Sequence, residues 1–428
     1  MERQYGFDTL MVHAGKEYDK ETGSVTVPLY MTTAYEFENA DHARRLFALE
    51  ESGNIYTRIM NPTSDMLEAR ITALEGGSGA LALASGHAAI FLTIVTIARQ
   101  GDEILSSPYI YGGAINMFSH SLAKLGITVR FVDPDQPQEV EQAINDKTKA
   151  IFVETVGNPN ANVADLDTLA EIAHRNGVPL LVDSTFTTPY LIKPFEHGAD
   201  IILHSATKFL GGHGTVMAGL VVDSGKFQWK GNPRFPDFND PDPSYHGVVF
   251  ADLGPTAFIT KLRTQMLRDY GPCISPFNSF MILQGIETLS LRMRKHCDNA
   301  LAVAKFLEGH PMVEKVHYPG LESSRYHKLA QKYLPKGSSA VFTFEIKGGK
   351  KAGEKFINSL ELLLHVTNVG DVRSLVSHPA STTHSQLNEE QLNAAGITPG
   401  TIRLSIGLED AEDLIADLSQ ALDRAAQA

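Results

Sequence analysis

Lys208 is the residue whose surroundings could turn an ordinary side chain into a nucleophile. It follows Ala199-Asp-Ile-Ile-Leu-His-Ser-Ala-Thr207, an apolar run of strand length, and precedes Gly211, Gly212 and Gly214, which force a sharp turn. A lysine so placed sits at the carboxyl end of a strand, the edge of an open parallel sheet where ligands bind. An amine partly shielded from water there loses its proton and attacks a carbonyl carbon, and an aldehyde cofactor is its natural partner. A solvated loop lysine is the competing reading of this stretch taken alone.

Several neighbours in the sequence bear on that choice. Asp183 stands where the apolar run Pro179-Leu-Leu-Val182 ends, and a carboxylate buried there needs a cation or hydrogen-bond donors. A protonated pyridine nitrogen would serve, although helix capping competes as an explanation. Ala84-Ser-Gly-His-Ala-Ala89 joins a strand to a helix through Ser85, Gly86 and His87, so first-turn N–H groups form a phosphate seat, to which the Ser205 and Thr207 hydroxyls could add. Tyr111 offers a flat face or a phenol oxygen to a planar ligand, or is simply packed. Tyr56 and Arg58 share a face if their segment is extended, and both could then reach one anion. Arg403 lies in the apolar strand Thr401–Ile406, where a buried guanidinium must be paired by an amino-acid carboxylate or by an internal Asp or Glu. His378 and His384 are spaced too widely for a helical i, i+4 metal pair, so no metal site is expected.

The elements that must position these residues follow a regular alternation from residue 79 onward. Apolar runs at Gly79–Ser85, Glu103–Ser107, Thr128–Asp133, Ala150–Thr155, Val178–Thr185, Asp200–Thr207 and Ala218–Asp223 alternate with amphipathic stretches, which predicts a mostly parallel seven-stranded sheet with helices between the strands. Residues 1–60 are rich in turn formers and read as an extended N-terminal arm. Residues 61–272 then form an α/β domain with an irregular, aromatic insertion at about 225–270. Residues 273–428 form a smaller C-terminal α+β domain, with strands at Val313–Tyr318, Ala340–Ile346 and Thr401–Ile406 and a long helical pattern over 277–309 that carries a break.

Composition narrows the function classes. A chain of 428 residues with 43% hydrophobic content has ample apolar surface for two or three domains. Its formal net charge of -13 argues against nucleic-acid and anionic-membrane partners, and the short basic run Arg292-Met-Arg-Lys295 reads as a solvated helix face. Two cysteines, Cys273 and Cys297, lack ligand spacing and suit a reducing compartment. Met1-Glu-Arg-Gln-Tyr5 lacks the apolar core of a signal peptide, and no run of about 20 apolar residues could span a bilayer. A cytoplasmic location is expected.

Taken together and in this order, these residues resemble the Cys/Met-metabolism family of pyridoxal-phosphate enzymes over nearly the whole chain. The resemblance implies the fold-type-I PLP-dependent transferase architecture, with pyridoxal 5'-phosphate bound to Lys208, its ring nitrogen held by Asp183 and its ring stacked on Tyr111. Ser85, Gly86 and His87, with Ser205 and Thr207, would hold the phosphate, completed by Tyr56 and Arg58 from a neighbouring subunit. That sharing implies a homo-oligomer, a tetramer built from dimers. Arg403 would bind the substrate carboxylate, assisted by Ser374 and Asn158. Tyr111-Gly-Gly113, Asp242-Pro-Ser-Tyr-His-Gly247, Gly285-Ile-Glu-Thr-Leu289 and His378-Pro-Ala-Ser-Thr-Thr-His-Ser-Gln386 are most similar to the sulfhydrylase branch, in which many members have Gln where His87 stands. Methionine γ-lyases usually carry a cysteine where this chain has Gly113. The implied activity is γ-replacement in methionine biosynthesis, converting O-acetyl-L-homoserine and sulfide to L-homocysteine and acetate. Lys208 would move the α and β protons and Tyr111 would assist the leaving group. A methionine γ-lyase or cystathionine γ-synthase type of reaction would use the same residues, and a non-catalytic α/β binding protein is the alternative of another class.

Overall fold

The computed structural model describes residues 5–15, 22–379, 382 and 396–427. Seven strands, β1 (Gly79–Leu83), β2 (Glu103–Ser106), β3 (Thr128–Phe131), β4 (Thr148–Glu154), β5 (Leu180–Asp183), β6 (Ile201–Ser205) and β7 (Gly219–Asp223), form one sheet in the order β1-β7-β6-β5-β4-β2-β3. The run β6-β5-β4-β2-β3 is parallel throughout, whereas β7 runs antiparallel to both β6 and β1. Central strands such as Leu180–Asp183 are buried residue by residue because helices cover both faces, which explains why they read as continuous apolar runs.

The expected strands are all present, but several are shorter at the carboxyl end. Residues 184–185 and 206–207 leave the ladder to form the turns that carry the site. Along β5 the side chains alternate between two cores: Leu180 and Val182 pack on one face of the sheet and Leu181 on the other. The second core also takes in Trp229, Phe235, Phe238, Phe250 and Phe258, so the irregular stretch after β7 is an aromatic cushion under the sheet. Trp229 stacks on Phe238 with centroids 4.3 Å apart, and the Lys261 ammonium lies 4.6 Å from the Phe250 ring centre.

Three helices precede β1 and one follows it directly. The N-terminal segment departs from a purely extended arm, because α1 (Phe7–His13) and α2 (Ala40–Phe47) are helical. α2 is only eight residues long, so the helical spacing of Ala43, Leu46 and Phe47 covers too short a stretch to stand out; Asn39 caps it by accepting from His42 N at 2.8 Å, and Asp41 pairs with Arg44 and Arg45. α3 (Pro62–Glu75) begins with the Asn61 cap and a proline that needs no N–H partner, and stops at Gly76, whose φ of 79° only glycine adopts freely. α4 (Gly86–Ile97) starts directly after β1 with Ser85 as its cap.

A second sheet of five strands, β8 (Val313–His317), β9 (Val341–Ile346), β10 (Leu364–His365), β11 (Leu375–Ser377) and β12 (Thr401–Ser405), has the order β10-β11-β12-β9-β8. The two shortest, β10 and β11, offer too few residues for alternation to register in the sequence. The helical pattern over 277–309 divides into Pro276–Ile286 and Leu289–Glu308, with the break at Glu287 and Thr288. The basic run at 292–295 is not a uniformly solvated face: Arg294 is exposed but Arg292 is only 5% exposed, because its guanidinium turns inward onto backbone carbonyls.

Gly219 shows how closely the elements meet. It pairs with Leu83 on one side and Ser205 on the other, and an added Cβ would lie 2.0 Å from Ser85 O. Gly219→Ala should therefore lower stability by about 1–3 kcal/mol through overpacking, and a urea midpoint equal to that of the wild type would contradict this contact.

Candidate active site

A cavity of about 230 Å³ opens where β4, β5 and β6 end, and its walls include Ser85, Gly86, His87, Tyr111, Asn158, Asp183, Ser205, Thr207, Lys208 and Arg403. Nearly every site residue expected from the sequence is thus gathered around one space. A larger cavity of about 490 Å³, between Tyr326 and Lys315, holds none of them. Its Glu314 and Lys315 sit within β8 of the smaller sheet, not at the carboxyl end of a parallel strand, so the smaller cavity is the candidate site.

The strand ends fix the ionisable groups. Lys208 lies in a single turn after β6, with its N–H donating to Ser205 O at 3.1 Å and its carbonyl accepting from Gly212 N at 2.7 Å. Its Nζ donates to the Asn368 side-chain oxygen. Burial, reinforced by the Arg403 charge, lowers the amine pKa to about 8. Arg403 projects from β12 and donates to Asn158 Oδ1 at 3.3 Å and to Asn368 O at 3.5 Å. Among the described residues it forms no ion pair, and although burial lowers its pKa to about 10 it stays charged at neutral pH. Two long bonds to neutral acceptors leave this buried fork able to take a carboxylate.

On the other side, Asp183 ends β5 and faces Glu154, its registered neighbour on β4. Burial raises the Asp183 pKa, against the Thr185 donors that lower it, including Thr185 N–H at 2.9 Å. Burial first and the Asp183 charge second push Glu154 well above the usual carboxylate range, while Glu154 accepts from Tyr111 N at 2.7 Å. A cation brought to Asp183 would stabilise its ionised form.

The helix start completes the wall. Ser85 Oγ accepts from Ala88 N at 3.1 Å and Ser85 O from Ala89 N at 3.0 Å, so Gly86 and His87 present the first-turn N–H groups that no helix carbonyl takes. Only glycine fits at 86, because a Cβ there would lie 2.7 Å from Ser205 Cβ. Thr207 Oγ1 exchanges hydrogen bonds with Ala218 N and O at 3.1 and 3.2 Å. The Tyr111 ring stands edge-on to His87 with centroids 5.6 Å apart, and a Cβ at Gly113 would come within 2.5 Å of that ring.

Three expected residues lie elsewhere. Ser374 is buried away from the cavity, donating to Glu409 Oε2 at 2.8 Å and accepting from Gly407 N at 2.8 Å. Tyr56 is 41% exposed, and Arg58 lies over its ring and donates to Arg268 O. Neither Tyr56 nor Arg58 lines the cavity of its own chain. His378 donates through Nε2 to Pro399 O at 2.9 Å, and His384 falls outside the described residues. The sequence reading missed the roles of Glu154, Thr185 and Asn368. Glu154 and Thr185 are betrayed by their positions at strand ends, but Asn368 lies in an irregular loop with no such signal.

The low Lys208 pKa is directly measurable. In cofactor-free protein, reductive alkylation of Lys208 by a small aldehyde and borohydride should accelerate with pH, pass half its limiting rate near pH 8 and then level off. The neutral amine is the reactive form and becomes the majority form above that value; a rise continuing past pH 10 would show an ordinary solvated lysine.

The gathering of a strand-end lysine, a buried carboxyl and a helix start is matched by likeness to known proteins. A homocysteine synthase of Schizosaccharomyces pombe is 52% identical over 97% of this chain and 98% of its own. An O-acetyl-L-homoserine sulfhydrylase of Leptospira meyeri is 50% identical over 99% and 98%. A crystal structure from Campylobacter jejuni, provisionally described as an O-acetylhomoserine (thiol)-lyase and carrying a pyridoxyl-lysine phosphate, superposes with a TM-score of 0.96 at 42% identity over 98% of this chain and all of that one. With the family profile matching residues 8–423, the chain belongs to the Cys/Met metabolism PLP-dependent enzymes.

Proposed function

We propose that this enzyme carries out γ-replacement on O-acetyl-L-homoserine, exchanging acetate for sulfide to give L-homocysteine in methionine biosynthesis. The observation that carries the reading is the joint hold of Asn368 on both cations: its side chain accepts from Lys208 and its backbone carbonyl from Arg403. A proton-carrying amine thus stands one residue's width from a carboxylate seat, as a reaction at the α, β and γ carbons of an amino acid requires. The identity of leaving group and nucleophile is supported by the named relatives.

The residues fit pyridoxal 5'-phosphate. Gly86 leaves a cradle that a Cβ would fill, Asp183 is a buried carboxyl that a ring cation would ionise, and Lys208 is an amine neutral enough to bond an aldehyde. When bound, the cofactor supplies an electron sink for an amino-acid carbanion. Gly86 and His87 N–H groups with the Ser205 hydroxyl would hold its phosphate, and Tyr111 would cover its ring. Arg403 and Asn158 orient the substrate carboxylate. Lys208, with a pKa close to neutrality, takes the α proton, then the β proton, and returns both in reverse order after sulfide adds at the γ carbon. Tyr111 assists departure of acetate.

In this proposal residues 61–272 bind the cofactor and residues 273–428 supply the carboxylate seat. The enzyme works in the cytoplasm as a homo-oligomer, a tetramer built from dimers in which each protomer lends Tyr56 and Arg58 to its partner's cavity. Their absence from their own cavity supports this exchange. Among the described residues no helix is long and apolar enough to cross a membrane.

Incubation with O-acetyl-L-homoserine and sulfide should yield homocysteine and acetate in equal amounts; formation of an oxoacid and ammonia instead would sink the reading. In the same assay Arg403→Met should raise KM for the amino acid roughly 10- to 100-fold, the cost of a charged hydrogen bond of about 1.5–3 kcal/mol. Mixing inactive Lys208→Ala with inactive Arg58→Ala protein under subunit exchange should restore activity, since one hybrid site would have both residues. No recovery in verified hybrids would rule out shared sites.

A further inference from the structure

The lysine turn ends in two backbone carbonyls that its own hydrogen bonds do not use. Gly211 N closes on Ala206 O at 2.9 Å and Gly212 N on Lys208 O at 2.7 Å, after which Gly212 leaves with φ 75°. Phe209 O and Leu210 O are then orphan acceptors, as at any helix end. Arg292, from the helix Leu289–Glu308, answers both: Nη1 donates to Phe209 O at 2.7 Å and Nη2 to Leu210 O at 3.2 Å. Nη2 also donates to Gly285 O at 2.7 Å, and Nε to Thr288 Oγ1 at 3.3 Å.

The fit is close on every side. A Cβ on Gly212 would lie 2.3 Å from Arg292 Nη1, and one on Gly285 would lie 2.3 Å from Gly211 O. One helical turn after Arg292, the His296 ring packs edge-on against Phe209 with centroids 5.1 Å apart. From the opposite side Gly370 presses on the Phe209 N–H, where a Cβ would meet the nitrogen at 2.7 Å. Among the described residues Arg292 forms no ion pair, so its buried charge is met by neutral acceptors alone. Burying a guanidinium this way is costly, and a hydrophobic side chain of similar size would often serve stability as well. What the arginine uniquely provides is a planar fork that reaches two successive carbonyls at once.

We infer that Arg292 is a positioning residue for Lys208: it fixes the backbone of the lysine turn from the neighbouring helix, so that the amine meets its cofactor and substrate in one orientation. The inference rests on the reading that Lys208 bonds the cofactor. Arg292 does not line the cavity, so its loss should touch neither the carboxylate seat nor the phosphate seat.

The test uses the full-length protein with Arg292→Met, Arg292→Lys and, as a control on the lysine, Lys208→Ala. Two quantities are read: the kcat and KM split with O-acetyl-L-homoserine and sulfide, and the rate at which cofactor-free protein captures pyridoxal 5'-phosphate as a borohydride-reducible adduct on the Lys208 peptide. Folded Arg292→Met should lose about 10- to 100-fold in kcat, as expected of a displaced reacting group. Its KM should stay within about twofold and its capture should be slowed, while Arg292→Lys should recover part of both. The inference is overturned if folded Arg292→Met matches the wild type in kcat and capture, or if the loss lies in KM. Should Arg292→Met fail to fold, Arg292→Lys decides: slowed capture and reduced kcat support the inference, whereas wild-type behaviour or failure to fold refutes it. An adduct that persists elsewhere in Lys208→Ala would instead refute the lysine assignment, which separates the two failures.

Discussion

Lys208 and Arg403 share one enclosed space, and the repulsion between them, added to the loss of water, is the constraint that the surrounding structure serves. The two cations respond differently because their ordinary pKa values differ. Enclosure brings the amine to about 8, within reach of both protonation states, while the guanidinium at about 10 remains charged. A single environment therefore yields a proton carrier and an anion seat. Asn368 is neutral and can touch both without cancelling either, which a carboxylate in its place could not do.

The opposite wall obeys the complementary rule. Asp183 and Glu154 end adjacent parallel strands, so the sheet brings two carboxyls together where burial already opposes their ionisation. The strand ends, the start of α4 and the lysine turn are all edges of rigid elements, and close glycine contacts at Gly86 and Gly219 set their separations. Little of the site depends on the conformation of a free loop except at Asn368, where the smaller sheet reaches across.

Much of this was legible in the sequence because the chemistry sits at places that composition marks. Apolar runs ending in Asp183 or followed by Thr207-Lys208 announce strand ends, and strand ends in a parallel sheet converge. Ser85-Gly-His87 announces a helix start for the same kind of reason. What escaped notice depends on contacts between segments far apart in the chain. Arg292 looked solvated because its neighbours Arg294 and Lys295 are polar, and nothing local reveals that carbonyls 82 and 83 residues away receive it. Ser374 was carried to the substrate by resemblance alone, whereas its hydroxyl ties β11 to Glu409 and Gly407. α2 escaped because it is only eight residues long and set among turn formers, too short for its apolar side to register as a period.

The reversal of β7 has a bearing on which parts of the chain tolerate change in length. β6 leaves the sheet at Ser205 and β7 re-enters it at Gly219, directly opposite, so the intervening excursion is a closed hairpin whose two feet are pinned to one another. An added residue between Ser205 and Gly212 must displace either the amine or the glycines that end its turn, because that turn closes on itself through Gly211 N to Ala206 O and Gly212 N to Lys208 O. The aromatic cushion beyond β7 is fastened to elements outside that hairpin, as where Arg234 donates to Asn145 O and Asn232 to Gly177 O, so growth or trimming at its solvent side leaves the hairpin undisturbed. Drift in chain length among enzymes built this way would then accumulate in the cushion and spare the hairpin.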